Sequence, residues 1–102
     1  MNIIVYTTCP NDGVARAISH KVVGERLAAC VHRHPAGTSV FEWEGKIEED
    51  EEILLMIKTK EKLYSRLEAA ILEEHPYDVP EIIAVSIDNG LPAYLRWIDH
   101  LD

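Results

Sequence analysis

Between Val40 and Lys60 the chain reads VFEWEGKIEEDEEILLMIKTK, and few folds accommodate such a stretch. Its first arm alternates Phe41, Trp43, Gly45 and Ile47 on one parity with Glu42, Glu44, Lys46 and Glu48 on the other, the period of a strand with one wet face. Its second arm, Ile53 to Ile57, is an unbroken apolar run. Such a run reads as a strand covered on both faces or a piece of buried helix; its shortness and β-branched ends favour the strand. Between the arms stand Glu48-Glu49-Asp50-Glu51-Glu52, like charges that repel and require a solvated tip. An arm beginning near Thr38 would run roughly 11 residues at ~3.3 Å each, or ~36 Å. A domain of about 100 residues has a radius of gyration of only ~13 Å. A straight hairpin of that length overhangs its own domain, so something else must cover the overhang.

The remaining segments supply a body for this hairpin. Ile3 to Thr7 reads as a first strand, broken by Pro10-Asn11-Asp12-Gly13, where Asn11 or Asp12 can cap a helix. Val14, Ile18 and Val22, with Leu27 beyond, form a helical stripe. Cys30 to His34 is extended, and Pro35-Ala36-Gly37 turns into the hairpin. Thr59 can cap a second helix, where Leu63, Leu67, Ala70, Ile71 and Glu74 keep helical spacing until Pro76 ends it. Ile82 to Ile87 is a last strand, and Pro92 suits the first turn of a short helix with Leu95, Ile98 and Leu101 inward. The order β-α-β-β-α-β predicts an α+β, ferredoxin-like sandwich with a long hairpin between its second and third strands and an additional C-terminal helix. Its 102 residues fit a single domain, 1–102.

Such a sheet has helices on one face only. Yet Ile3-Ile4-Val5-Tyr6, Ile53 to Ile57 and Ile82-Ile83-Ala84-Val85 are apolar on both parities. The uncovered face would exceed the few hundred Å² of apolar patch that soluble monomers expose. Self-association through open sheet faces and overhanging arms is therefore expected; the alternative is a monomer whose C-terminal helix caps the face. The net charge of −8 argues against nucleic acid or an anionic membrane as partner, since both need a basic footprint. No apolar run approaches the ~20 residues of a membrane helix. The first residues lack the basic start of a signal peptide, so Cys9 and Cys30 are expected as free thiols.

Several motifs, taken in order, resemble one family over nearly the whole chain. They are Glu25-Arg26-Leu27-Ala28-Ala29-Cys30, Trp43-Glu44-Gly45-Lys46-Ile47-Glu48, Asp50-Glu51-Glu52, Ile57-Lys58-Thr59, His75 through Ala84, and Tyr94-Leu95-Arg96-Trp97-Ile98. The chain is similar to the CutA family, the divalent-cation tolerance proteins of the PII-like superfamily. The resemblance implies a homotrimer of ferredoxin-like subunits in the cytoplasm, tied to tolerance of copper and other divalent metals.

Candidate sites follow. Cys30, His32 and His34, at i, i+2 and i+4, point to one side of a strand. A thiolate and imidazoles suit copper or zinc, and the soft sulfur favours Cu(I). Two of the three can share a metal, and the third needs a bend, because same-side residues stand ~6.5–7 Å apart. The bland alternative is one buried cysteine and two partly exposed histidines. At His75 the resemblance implies a copper-associated histidine. Members with that assignment also carry a histidine just before it and a cysteine in the first strand, where this chain has Glu74 and Thr7, with Cys9 two residues on. The alternative is a cation completing the end of the second helix. Cys30, Trp43, Lys58, Tyr77 and Glu81 are expected around a subunit-interface cleft, where Lys58 meets either a small polar ligand or a carboxylate such as Glu81. No Ser/His/Asp elbow, P-loop or Cys-x-x-Cys pair is present, so no catalysis is expected and no cofactor is required, copper or zinc being the ions the donors suit.

Overall fold

The computed structural model describes residues 1–101. In chain order its elements are β1 (Asn2–Cys9), α1 (Asp12–Gly24), β2 (Cys30–Arg33), β3 (Gly37–Trp43), β4 (Lys46–Lys60), a 3-10 turn (Glu61–Leu63), α2 (Tyr64–Glu74), β5 (Ile82–Ser86) and α3 (Pro92–Ile98). The sheet order is β2-β4-β1-β5, with β3 paired to the outer part of β4, and every pairing is antiparallel. This is the expected ferredoxin-like α+β sheet. Its second strand is divided into β2 and β3, which lie end to end along β4. The His34 N–H donates to the Leu54 carbonyl at 3.0 Å, and the next registered pair is Gly37 with Glu52. Three steps on one strand oppose two on the other, the count of a bulge. Pro35 has no N–H to give to the ladder, and it sits where the ladder is interrupted on an edge strand.

The hairpin turn lies elsewhere than expected. Glu44 and Gly45 form it, with φ of 50° and 80°. Two successive positive φ values belong to the two-residue hairpin turn whose twist matches that of the flanking strands. The acidic run Glu48–Glu52 is therefore part of β4, registered against Phe41 through Gly37. Its repulsion is relieved by exposure and by alternation: Glu48, Asp50 and Glu52 share one face, and Glu49 and Glu51 the other. The arm does overhang the body, and the molecule measures 45 × 26 × 23 Å.

The core lies between the helices and one sheet face. Ile3, Val5, Cys9, Leu55 and Ile57 of the sheet meet Ala15, Ile18 and Val22 of α1 and Leu67, Ala70 and Ile71 of α2. Asn11 caps α1, its Oδ1 accepting from the Val14 N–H at 2.9 Å. Thr59 does not cap α2 as the sequence suggested. It is the penultimate residue of β4, fully buried, and its hydroxyl donates to the Leu27 carbonyl at 2.7 Å. That bond ties the chain after α1 to the sheet, and α2 starts through the 3-10 turn with no side-chain cap. At the other end of α2, His75 is extended, as the residue before a proline must be.

Pro92 opens α3 as expected. The helix closes the end of the sheet: Asn2 Nδ2 donates to the Leu95 carbonyl, Arg26 Nη2 to His100, and Lys60 Nζ to Leu101 at 2.7 Å. On β5, Ile83 stays 53% exposed and Val85 45%. Both lie on the face away from the helices, because their register partners are Tyr6 and Ile4. No helix among the described residues is long and apolar enough to cross a membrane.

Thr59→Val keeps the side-chain volume but strands a buried carbonyl. Urea denaturation should show a loss of about 1–3 kcal/mol, and an unchanged midpoint would deny the bond any weight. Glu44→Asn places a residue tolerant of positive φ in the turn. It should slow hydrogen exchange of the arm amides, with a gain of up to about 1 kcal/mol; faster exchange would contradict the turn described.

Candidate functional site

Two surfaces gather the chemically capable side chains. The first is a cleft of about 800 Å³ where the β3–β4 arm leaves the body and the segment after α2 crosses beneath it. Alternation along β3 sends Phe41 and Trp43 to the cleft side, and pairing places Glu48, Asp50 and Glu52 on that same side. Tyr77, Asp78 and Glu81 form the opposite wall. Trp43 is 63% exposed, an unusual position for an indole, with no cover among the described residues.

A chain of hydrogen bonds holds the lower wall. His75, 8% exposed, has its Nε2 2.7 Å from the Thr8 carbonyl, while the Tyr77 N–H donates to its Nδ1 at 3.2 Å. A carbonyl only accepts, so Nε2 carries the proton and Nδ1 is the acceptor. Tyr77 Oη then donates to Glu52 Oε2 at 3.0 Å, which joins the α2 exit to the base of the arm. Burial first, and then the hydrogen bond to Glu52 and its charge, push the Tyr77 phenol up to about 12. The ring therefore remains a neutral donor through the physiological range. Burial, and then Glu52, push the Cys9 thiol up to about 11, so Cys9 is a core thiol with little nucleophilic character.

The second surface is the sheet face away from the helices. Register partners share a face, so Cys30 stands opposite Lys58, and His32 opposite Met56. Ile4, across β4 from the same Lys58, and then Val85 continue the row. His32 and His34 meet edge to face with ring centroids 4.9 Å apart.

The five residues expected around one cleft are thus divided within the chain. Trp43, Tyr77 and Glu81 line the cleft, and Cys30 and Lys58 lie on the open sheet face. Lys58 forms no ion pair with Glu81 among the described residues. Of the residues expected at metal, His75 has both ring nitrogens engaged by backbone, and in this arrangement it offers no free lone pair. Cys30 and His32 share a face. No group of three or more His, Cys, Asp or Glu side chains among the described residues is arranged to hold a metal ion. The sequence reading missed the Tyr77–Glu52 link and the acidic wall of the cleft. The Glu44-Gly45 pair was the signal for the second, since it decides which acids face the aromatics.

Comparison with known proteins places this geometry. The family model described as CutA1 divalent ion tolerance protein matches residues 3–100. Protein CutA of Mus musculus is 50% identical over 93 residues, 91% of this chain and 52% of its own length. Divalent-cation tolerance protein CutA of Thermus thermophilus is 43% identical over 98 residues, covering 96% of this chain and 95% of its own. The solved Thermus thermophilus structure, titled a divalent cation tolerance protein, superposes with a TM-score of 0.96 at 42% identity, over 99% of this chain and 98% of that one. The chain spans about half the length of some of the curated relatives it matches, as with the mouse protein. With the fold, the motifs and 98 consecutive residues in agreement, the chain belongs to the CutA1 divalent ion tolerance protein family.

Proposed function

We propose that this chain acts as a homotrimer in the cytoplasm, in tolerance of divalent metals with copper foremost, by binding metal ions without catalysing a reaction. Copper and zinc are the ions its donors suit, and no cofactor is required. One observation carries the assembly. The sheet face away from the helices is apolar and uncovered at Ile83 and Val85, while Trp43 and Ile47 on the overhanging arm are 63% and 80% exposed. Further copies of the chain are the simplest cover for two separated apolar surfaces, one on the sheet and one on the projecting arm. Family membership supports the metal role, and the imidazoles and thiol on the open face support a soft or borderline ion.

A second reading is favoured by the cleft. Its volume of about 800 Å³ and its Trp43, Tyr77 and Glu81 walls suit a small ligand, as in a PII-like sensor or interaction scaffold.

Sedimentation in dilute buffer should give a species of about 35 kDa, three times the 11.6 kDa chain, and Ile83→Glu with Val85→Glu should split it. An 11.6 kDa species from the unaltered protein would sink the assembly. Calorimetry should register binding of Cu(I), under anaerobic conditions, Cu(II) or Zn(II), and silence with all three would remove the metal role. A sensor would instead raise its melting temperature with a metabolite and quench Trp43 fluorescence, indifferent to chelator; a broad metabolite panel without effect would exclude that reading.

A further inference from the structure

We propose that His32, His34 and Met56 form a binding site for Cu(I) on the open sheet face, beside the bulge that separates β2 from β3. The inference rests on the metal-binding reading above and assigns it a place and an oxidation state.

Three observations converge there. The rings of His32 and His34 stand edge to face, with centroids 4.9 Å apart and planes at 80°. Nε2 of His34 is buried and has no hydrogen-bond partner among the described residues. A buried polar nitrogen left without a partner is uncommon and costly, and a coordinated ion is one of the few things that satisfies it. Finally, Met56 is the registered partner of His32 across the β2–β4 ladder, so its thioether rises from the same face, with Cβ atoms ~4.5–5.5 Å apart. His32 on β2 and His34 just past its end, with Met56 opposite His32 on β4, form a triangle that one ion with bonds of ~2.0–2.3 Å can bridge through long side chains.

The donor set selects the ion. Two neutral imidazoles and a thioether bring no negative charge to offset a dication. Hard and borderline dications gain most from carboxylate or thiolate ligands, and no such group completes a three-residue set among the described residues. A thioether selects Cu(I) over Zn(II). Lys58 strengthens the selection. It lies two residues beyond Met56 on the same strand face, opposite Cys30, and its ammonium repels a dication twice as strongly as a monocation. Cys30 stands one same-face position further along, opposite that lysine, and is not part of the set.

An anaerobic titration of the intact protein with Cu(I), against a chromophoric Cu(I) chelator, tests this. One ion should bind per chain, and X-ray absorption should show a sulfur neighbour. Met56→Leu conserves shape, and it should remove that sulfur signal and weaken Cu(I) binding by roughly tenfold or more, with melting temperature and any Zn(II) affinity unchanged. His34→Leu should abolish binding, and Cys30→Ser should leave it intact. Cu(I) held equally well by Met56→Leu and His34→Leu would overturn the site and leave the metal-binding reading standing. Loss in Cys30→Ser with retention in Met56→Leu would overturn it in favour of the thiol. Failure of the unaltered protein to bind Cu(I), Cu(II) or Zn(II) would remove the broader reading along with the site.

Discussion

The whole structure depends on one strand being paired along its full length, on two edges within the body and on one edge in the arm. β4 carries 15 residues, with β1 and β2 flanking its inner half and β3 its outer half. The inner half contributes Leu55, Ile57 and Thr59 to the core, so side-chain burial and ladder hydrogen bonds act together there. The outer half has no burial to draw on. From Lys46 to Glu51 every residue is exposed, and the arm is held by the ladder to β3, the turn at Glu44-Gly45 and, at its base, the Tyr77–Glu52 bond. Two-stranded ribbons of this kind are marginal alone in water. The arm thus inherits its order from the continuity of β4 with the core, and its exposed Trp43 and Ile47 leave it in need of a neighbour.

The same strand divides the chemistry. Alternation along β4 sends Leu55 and Ile57 toward the helices and Met56 and Lys58 toward the open face. Every second residue is therefore available for function, and β2 supplies Cys30 and His32 beside them. On the arm the alternation brings Glu48, Asp50 and Glu52 under Phe41 and Trp43, and the cleft acquires its acidic wall. Of these acids Glu52 is anchored, because the Tyr77 hydroxyl binds it and His75 holds Tyr77. A displacement of the α2 exit would reach the arm through that chain, one physical route by which the body can feel what the arm contacts.

Most of the body was legible in the sequence. The stripe of Ile18 and Val22, the run at Ile53 to Ile57 and the punctuation by Pro76 and Pro92 each rest on a local rule that the tertiary structure did not override. Two features were not legible, for different reasons. The turn was sought among like charges, because repulsion in Glu48–Glu52 suggested a tip; backbone geometry at Glu44-Gly45 prevailed, since exposed carboxylates on alternating faces repel weakly through water. Thr59 follows a strand and precedes a helix, where a cap is the natural reading. The Leu27 carbonyl, 32 residues away, claims its hydroxyl instead, and no local pattern reveals that. The candidate residues divided likewise. Adjacency in sequence identified Cys30, His32 and His34, whereas Met56 beside His32 is a fact of register.

His75 shows why a family assignment cannot be carried over from residue identity alone. A metal ligand needs a free lone pair, and in a neutral imidazole only the nitrogen without the proton has one. Here the Thr8 carbonyl fixes the proton on Nε2, and the Tyr77 amide occupies Nδ1. A metal at Nδ1 would have to displace that amide and leave a half-buried N–H without a partner, a cost of about 1–3 kcal/mol before any coordination gain. It would also loosen Tyr77 from the wall it builds with Glu52. The imidazoles of His32 and His34 bear no such burden, and the unpartnered nitrogen of His34 would be relieved by a metal. Within one fold, then, histidines differ in availability by what the backbone around them already demands, and the demand is greatest at the helix exit.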